Sequence, residues 1–289
     1  MIFKTNIMNK KLNLRNLLKI IAIIFLIIGA ICLVLSFYLL FSNPSYFIIG
    51  DSFNIEIANK FGGFVAGVTG VFFSVTATFL IFLTFEQQKE QFKLSQFDNS
   101  FFNLFRILQN IIEELTISDE YNNTYQSREY LRYQRQRLVQ FIVEENSKLP
   151  VEKELAEIVF NARLVEGFLD ENNLEKYGAY ISKILSNFFK SKGFSFEHYF
   201  RSVHNLMKYI EDSQLNKFNK KRYFNIIKAQ MTMDELGLIF YYGLSQEGKG
   251  DFHFLLDSSN FLSIIDKGVL ENDKNHIRLY PMTNFNFKK

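Results

Sequence analysis

Four histidines stand in this chain, His198, His204, His253 and His276, and one cysteine, Cys32. A metal centre needs His, Cys or carboxylates clustered at ligand spacing. No HExxH is present, so neither a metal nor a cofactor is expected. GxxxxGK[ST], GxGxxG and GxSxG are also missing from the sequence, which leaves nucleotide loops and hydrolase elbows unsupported. The one local cluster is Glu197-His198-Tyr199-Phe200-Arg201-Ser202-Val203-His204. On a helix, Arg201 is a neighbour of both His198 and His204 at i, i+3. An Arg beside a His has the chemistry for acid–base cleavage of RNA. The short gap between Arg201 and His204 does not match the wider Arg–His separation of helical toxin ribonucleases. The simpler expectation is an i, i+4 ion pair of Glu197 with Arg201, with the histidines on a polar groove or surface. Asp234-Glu235 is not a paired acid, since adjacent helical residues point about 100° apart. First-turn acids favoured by the helix dipole explain both.

The elements around these residues begin with two apolar runs. Ile20–Phe41 and Phe61–Phe85 carry no charge, and about 20 helical residues cross the hydrocarbon core. The first run is too long for a signal peptide and has no small-residue cleavage site. The second continues into Glu86-Gln87-Gln88-Lys89-Glu90-Gln91 without Pro or Gly, which predicts one helix from Phe61 to Leu94. The domain reading is a basic lead at 1–19, transmembrane helix one at 20–41, a short outer connector at 42–60, transmembrane helix two at 61–85, and a helical domain at 86–289. Lys4, Lys10, Lys11, Arg15 and Lys19 precede the first run, and only Lys60 lies between the two. The positive-inside rule then places the N-terminus and the helical domain in the cytoplasm. The pI of about 8.7 belongs to that lead, because acids and bases nearly balance from Glu86 onward. No specific nucleic acid is expected as a partner. A lone Cys32 excludes a disulfide within one chain.

Gly63, Gly67, Gly70, Ser74 and Ala77 fall on one stripe of the second run. Small residues let membrane helices approach closely, because lipid gives no hydrophobic drive for helix association. The stripe is expected to pack on the first apolar helix; a homo-oligomer seam is the other reading.

The rest reads as helix after helix, with no strand pair. Phe97 to Leu115 forms an apolar stripe, with Asp98 as a start signal. Ser118–Ser127 reads as a loop. Arg128–Glu145 carries a basic face, Arg128, Arg132, Arg135 and Arg137, expected to pair with Glu129 and Glu145. Pro150 is placed at a helix start, followed by a stripe from Val151 to Leu169 that includes Val165. Helices follow at Leu174–Phe189, at Phe196–Asp212 after the Gly193 break with Ser195 as cap, and at Lys217–Met231. Thr232 and Glu235 form a capping box for the next helix. The fold class is all-α, with an N-terminal two-helix transmembrane hairpin followed by a cytoplasmic α-helical bundle.

Several blocks carry a family resemblance. They are Phe61-Gly62-Gly63 through Phe85-Glu86-Gln87-Gln88, Phe101-Phe102-Asn103-Leu104-Phe105, His198-Tyr199-Phe200-Arg201, Tyr223-Phe224-Asn225-Ile226-Ile227-Lys228-Ala229-Gln230-Met231, Asp234-Glu235-Leu236 and Phe240-Tyr241-Tyr242-Gly243-Leu244-Ser245. The chain resembles the phage abortive infection proteins of bacteria. It departs at Met231-Thr232-Met233, where a Leu-Ser pair is expected, and at Tyr242, where Asn is usual. Ser118–Lys190 carries little resemblance. The resemblance implies an inner-membrane defence factor that limits phage propagation at the expense of the infected cell. It also implies a family-motif surface at Tyr223, Asn225, Gln230 and Glu235. The expected partners are the lipid bilayer, further copies of the chain, and a phage or host protein as trigger. Two rival readings are a ribonuclease using Arg201 with His198 or His204, and a membrane scaffold or signalling adaptor unrelated to phage.

Overall fold

The computed structural model describes residues 2–42, 48–49, 52–53, 55–119, 121–148, 150–163, 168–191, 194–271 and 273–286. The chain is nearly all helical and divides into two compact units, 1–97 and 98–289.

In the first unit α1 spans Ile2–Ser42, so the basic lead continues as helix into the apolar run. A short antiparallel ribbon, β1 (Ile48–Ile49) with β2 (Ser52–Phe53), follows where a plain connector was expected. Residues 43–47, 50, 51 and 54 of that connector lie outside the described residues. α2 then begins at Ile55, inside the expected connector, and continues to Glu114. α1 and α2 are long and apolar enough to cross a membrane. Large apolar side chains such as Ile20, Ile27, Leu35, Phe64, Leu80 and Phe82 remain exposed along them.

The two helices meet through one side of each. The Phe25 and Phe72 rings lie 5.9 Å apart, and a Cβ at Gly29 would stand 3.1 Å from Phe72 Cβ. Thr76 Oγ1 lies 3.5 Å from the Ala22 carbonyl oxygen. Phe72 and Thr76 are on the opposite side of α2 from the small stripe. Apart from the neighbouring backbone of α2 itself, no heavy atom of the described residues lies within 4 Å of where a Cβ would stand at Gly63, Gly67 or Gly70. The stripe therefore does not pack on α1, and it is open.

The second unit takes up the rest of α2, then β3 (Thr116–Ser118), β4 (Thr124–Gln126), α3 (Arg128–Ser147), α4 (Lys153–Arg163), α5 (Glu171–Lys190), α6 (Phe194–Glu211), α7 (Lys217–Gln230), α8 (Met233–Leu244) and α9 (Asp251–Ser258). Short 3-10 turns and α10 (Asp273–His276) close the chain. Asp98 starts no helix. Nothing between Glu86 and Phe97 breaks the backbone, so Asp98 lies mid-helix, where its carboxylate accepts from the Tyr223 hydroxyl. The expected loop at Ser118–Ser127 is an antiparallel ribbon that pairs Thr116 with Gln126 and Ser118 with Thr124. Its turn is set by the Asp119 carboxylate, which accepts from the backbone N–H of Tyr121 and Asn123. Asn122 takes up the left-handed conformation that Asn tolerates (φ 63).

α8 sits at the centre: every residue from Glu235 to Leu244 is buried. The helix is apolar all round, so it must be wrapped on every side. The capping box forms as read, with Glu235 N–H donating to Thr232 Oγ1 at 3.2 Å and Thr232 N–H to Glu235 Oε2 at 2.5 Å. α3 covers one face. Its arginines do not pair with Glu129 or Glu145. Arg135 meets Asp234 at 2.7 Å, Arg132 meets it at 3.4 Å, and Arg128 donates to the Gln230 carbonyl oxygen at 2.8 Å. Asp234, in the first turn of α8, is the partner of Arg132 and Arg135.

Other expectations shift by a turn. Pro150 precedes α4 instead of opening it, and Val151 is fully exposed. Ile158, Val159, Ala162 and Leu169 are buried as read, whereas Val165 lies outside the described residues. Ser195 lies inside α6, not at its cap, and Gly193 is outside the described residues. Tyr199, Val203, Leu206, Met207 and Ile210 do form the inner face of α6. α5 is capped by Asp170, which accepts from Asn173 N–H at 2.8 Å.

The C-terminal segment lies against α8 and α9. Tyr280 donates to the Phe240 carbonyl oxygen at 2.7 Å. The buried Asp257 carboxylate accepts from Met282 N–H at 3.0 Å and Thr283 Oγ1 at 2.8 Å. This close approach requires Gly243, where a Cβ would stand 2.3 Å from Tyr280 Oη and 2.7 Å from Leu256 Cδ1. Gly243→Ala is expected to expel Tyr280 and to cost about 2–3 kcal/mol through overpacking and a lost buried hydrogen bond. Denaturant unfolding of the purified chain against wild type measures that loss.

Candidate functional site

A slot of about 220 Å³ opens where the end of α5, the start of α6 and the end of α8 converge. Phe189, Phe196, Phe200 and Tyr242 line it, with Lys190, Glu197 and Glu247 at the rim. Phe200 and Tyr242 stack face to face, with centroids 3.9 Å apart and planes within 3°. Phe189 sets its edge against both, at 5.3 Å and 5.2 Å. The turn after α8 places Glu247. Ser245 Oγ donates to the Tyr242 carbonyl oxygen at 2.7 Å and accepts from Gly248 N–H at 3.2 Å. Gly248 has no substitute there, because a Cβ would stand 2.0 Å from that carbonyl oxygen.

The rim charges are paired. Glu197 meets Arg201 at 2.5 Å and Glu247 meets Lys190 at 3.2 Å. Burial, with Glu197 and Glu247 adding to it, pushes the Tyr242 hydroxyl up to about 12, against the pull of Arg201. Burial raises the Glu247 carboxyl too, but the Ser186 hydroxyl, its own backbone and Lys190 outweigh it and hold it below the usual range. The walls suit a flat apolar group. Tyr242 stays protonated at neutral pH.

Residues singled out from the sequence are dispersed. His198 and Arg201 are exposed on α6, and Arg201 is held by Glu197. His204 lies 3.4 Å from Asp251 Oδ2, with the Phe252 ring at 5.2 Å. All three lie on α6, where each of Arg201 and His204 faces an acid of its own. Asn225 and Gln230 are exposed on α7, whereas Tyr223 and Glu235 are buried. Burial raises the Glu235 carboxyl against the capping hydrogen bonds from Thr232. Among the described residues no group of His, Cys, Asp and Glu could hold a metal ion.

One buried polar group was not legible in the sequence. His276 is fully buried, with Nε2 at 3.2 Å from the Tyr177 hydroxyl and Nδ1 at 3.2 Å from the Tyr241 hydroxyl. Tyr177 stacks on it at 5.7 Å. Tyr241 Oη accepts from Glu271 N–H at 2.7 Å, and Glu271 Oε2 lies 3.9 Å from His276 Nδ1. Only the pairing of two distant tyrosines with a C-terminal histidine could have signalled this, and no spacing rule predicts it.

Residues 192–268 match the family model described as "Putative phage abortive infection protein". No curated protein and no solved structure matches the chain. The matched stretch holds α6 to α9, and with them Phe196, Glu197, Phe200, Tyr242 and Glu247 of the slot. Residues 192–268 are therefore similar to the phage abortive infection family. The resemblance blocks at His198–Arg201, Tyr223–Met231 and Phe240–Ser245 fall inside the match, and those at 61–105 fall outside it. A second groove, about 620 Å³ between Glu145, Glu154, Lys176 and Tyr180, also lies outside.

Burial holds the His276 imidazole down to about 3 from its ordinary 6.5. Unfolding frees it to take up a proton below pH 6.5. Stability is therefore expected to fall as pH drops from 6.5 towards 3, by about 1.4 kcal/mol per pH unit from this group, and to be unaffected by it above 6.5. The raised carboxyls of Glu235 and Glu271 act in the opposite sense, so the His276 contribution is read as a difference. Chemical unfolding of wild type and His276→Gln between pH 4 and 8 should show the steeper acid slope in wild type only.

Proposed function

We infer that this chain is a membrane-anchored effector of antiphage defence, acting by abortive infection. The observation that carries the reading is the family match over residues 192–268. The anchoring part is supported by α1 and α2, whose apolar windows are only 11% and 17% buried. A core helix of a soluble protein hides such a face; a membrane span leaves it to lipid. In this reading both helices cross the cytoplasmic membrane. The five basic residues before Ile20 hold the N-terminus in the cytoplasm, and the second unit lies on the same side.

The second unit senses a phage product or a disturbed host process. Assembly of several copies through Gly63, Gly67, Gly70 and Ser74 then perturbs the membrane. The open stripe on α2 supports that step, since α1 occupies the other side of the helix. Close approach of small residues is what such a seam requires.

Gly63→Ile with Gly67→Ile puts branched bulk on the seam. Plaque counts on cells expressing this double variant should rise to those of cells lacking the gene, with membrane-fraction protein unchanged. Intact protection would remove the assembly step. His198→Ala with His204→Ala should leave protection nearly unchanged in the same assay; a full loss would favour the ribonuclease.

A further inference from the structure

α7 carries Lys217, Lys220, Lys221, Arg222 and Lys228 and no acidic residue along its length. Its inner face belongs to the core. Tyr223, Phe224 and Ile227 are buried, with Tyr223 edge-on to Phe101 at 4.9 Å. Two of the cations are engaged: Lys220 pairs with Glu211 at 3.2 Å, and Lys228 reaches the Asn260 carbonyl oxygen at 3.5 Å. Lys217, Lys221 and Arg222 are exposed and meet no carboxylate among the described residues. They share the outer surface with Asn225, Ala229 and Phe218, whose side chain is 78% exposed. Lys217, Lys221 and Asn225 recur at i, i+4, i+8, with Phe218 and Arg222 in the adjoining row, so the surface is one continuous strip.

A solvated helix face usually mixes both signs of charge and keeps large rings out of water. A strip with cations alone and a bare phenyl ring has the composition of a helix that lies on an anionic bilayer, cations at the headgroups and ring in the interface. A single-stranded nucleic acid would call for several aromatic platforms beside the cations, and Phe218 stands alone here.

We propose that the Lys217, Phe218, Lys221 and Arg222 face of α7 docks on the anionic phospholipid headgroups of the membrane that α1 and α2 anchor in. The proposal rests on the anchoring reading above and adds a second, electrostatic contact with the same bilayer.

The chain has no tryptophan, so Phe218→Trp places a single fluorophore on this face. The full-length variant is reconstituted in vesicles of phosphatidylcholine alone or mixed with phosphatidylglycerol, with dibrominated phosphatidylcholine as quencher. Blue-shifted emission and bromolipid quenching are expected in the phosphatidylglycerol vesicles. Both should be lost when Lys217, Lys221 and Arg222 are changed to Gln in the same chain, with its circular dichroism unchanged. Solvent-like, unquenched emission in both vesicle types overturns the proposal. So does an emission shift produced by single-stranded RNA and not by phosphatidylglycerol. Carbonate extraction of the same vesicles reports the anchoring separately: a chain that resists extraction yet shows solvent-like emission is anchored without α7 docking.

Discussion

The burial of α8 constrains the rest of the second unit. A helix with no polar side from Glu235 to Leu244 cannot rest on a surface; it has to be enclosed. Enclosure raises two problems that the neighbouring elements solve. The first is the polar N-terminus, where Asp234 and Glu235 would be stranded. Thr232 caps the helix, and Arg135 and Arg132 reach Asp234 from α3. A partly buried ion pair of this kind is costly to break one-sidedly, because the remaining charge stays desolvated. The second problem is access, since a backbone wrapped on all sides needs room. Gly243 admits Tyr280, whose hydroxyl would stand 2.3 Å from a Cβ there. The C-terminal segment, His276 included, is therefore part of the wrapping of α8.

Local periodicity made much of this legible. The inner face of α6 and the Thr232–Glu235 capping box were readable because they depend on residues within one or two turns. Features that depend on distant partners were not. The arginines of α3 look like a solvated basic face until α8 places Asp234 opposite them. Asp98 resembles a helix start by type, yet an unbroken α2 carries it past that role to Tyr223. The ribbon at Thr116–Gln126 was hidden because its turn chemistry lies in Asp119 and Asn122, residues that also mark plain loops. The aromatic slot combines Phe189 from α5, Phe196 and Phe200 from α6 and Tyr242 from α8, a convergence no single stretch encodes. Tyr242 was visible only as a departure from the family pattern. In the structure it supplies one wall of the slot, stacked on Phe200.

Function follows the same division. Each end of the chain has a feature that its own residues explain: two exposed apolar helices at one, and at the other a stretch similar to the phage abortive infection family, built around a buried helix. Arg201 is held by Glu197 and His204 faces Asp251, while the slot presents rings and paired charges. The proposed conversion of a binding event into a membrane event rests on these parts.

That account is tested most directly by an infection time course in cells carrying or lacking the gene, sampled together for membrane potential with a voltage-sensitive dye and for total RNA. The account predicts that potential collapses after infection only in cells carrying the gene, while RNA stays intact. RNA decay with the potential preserved would contradict it and return attention to Arg201 and its two histidines.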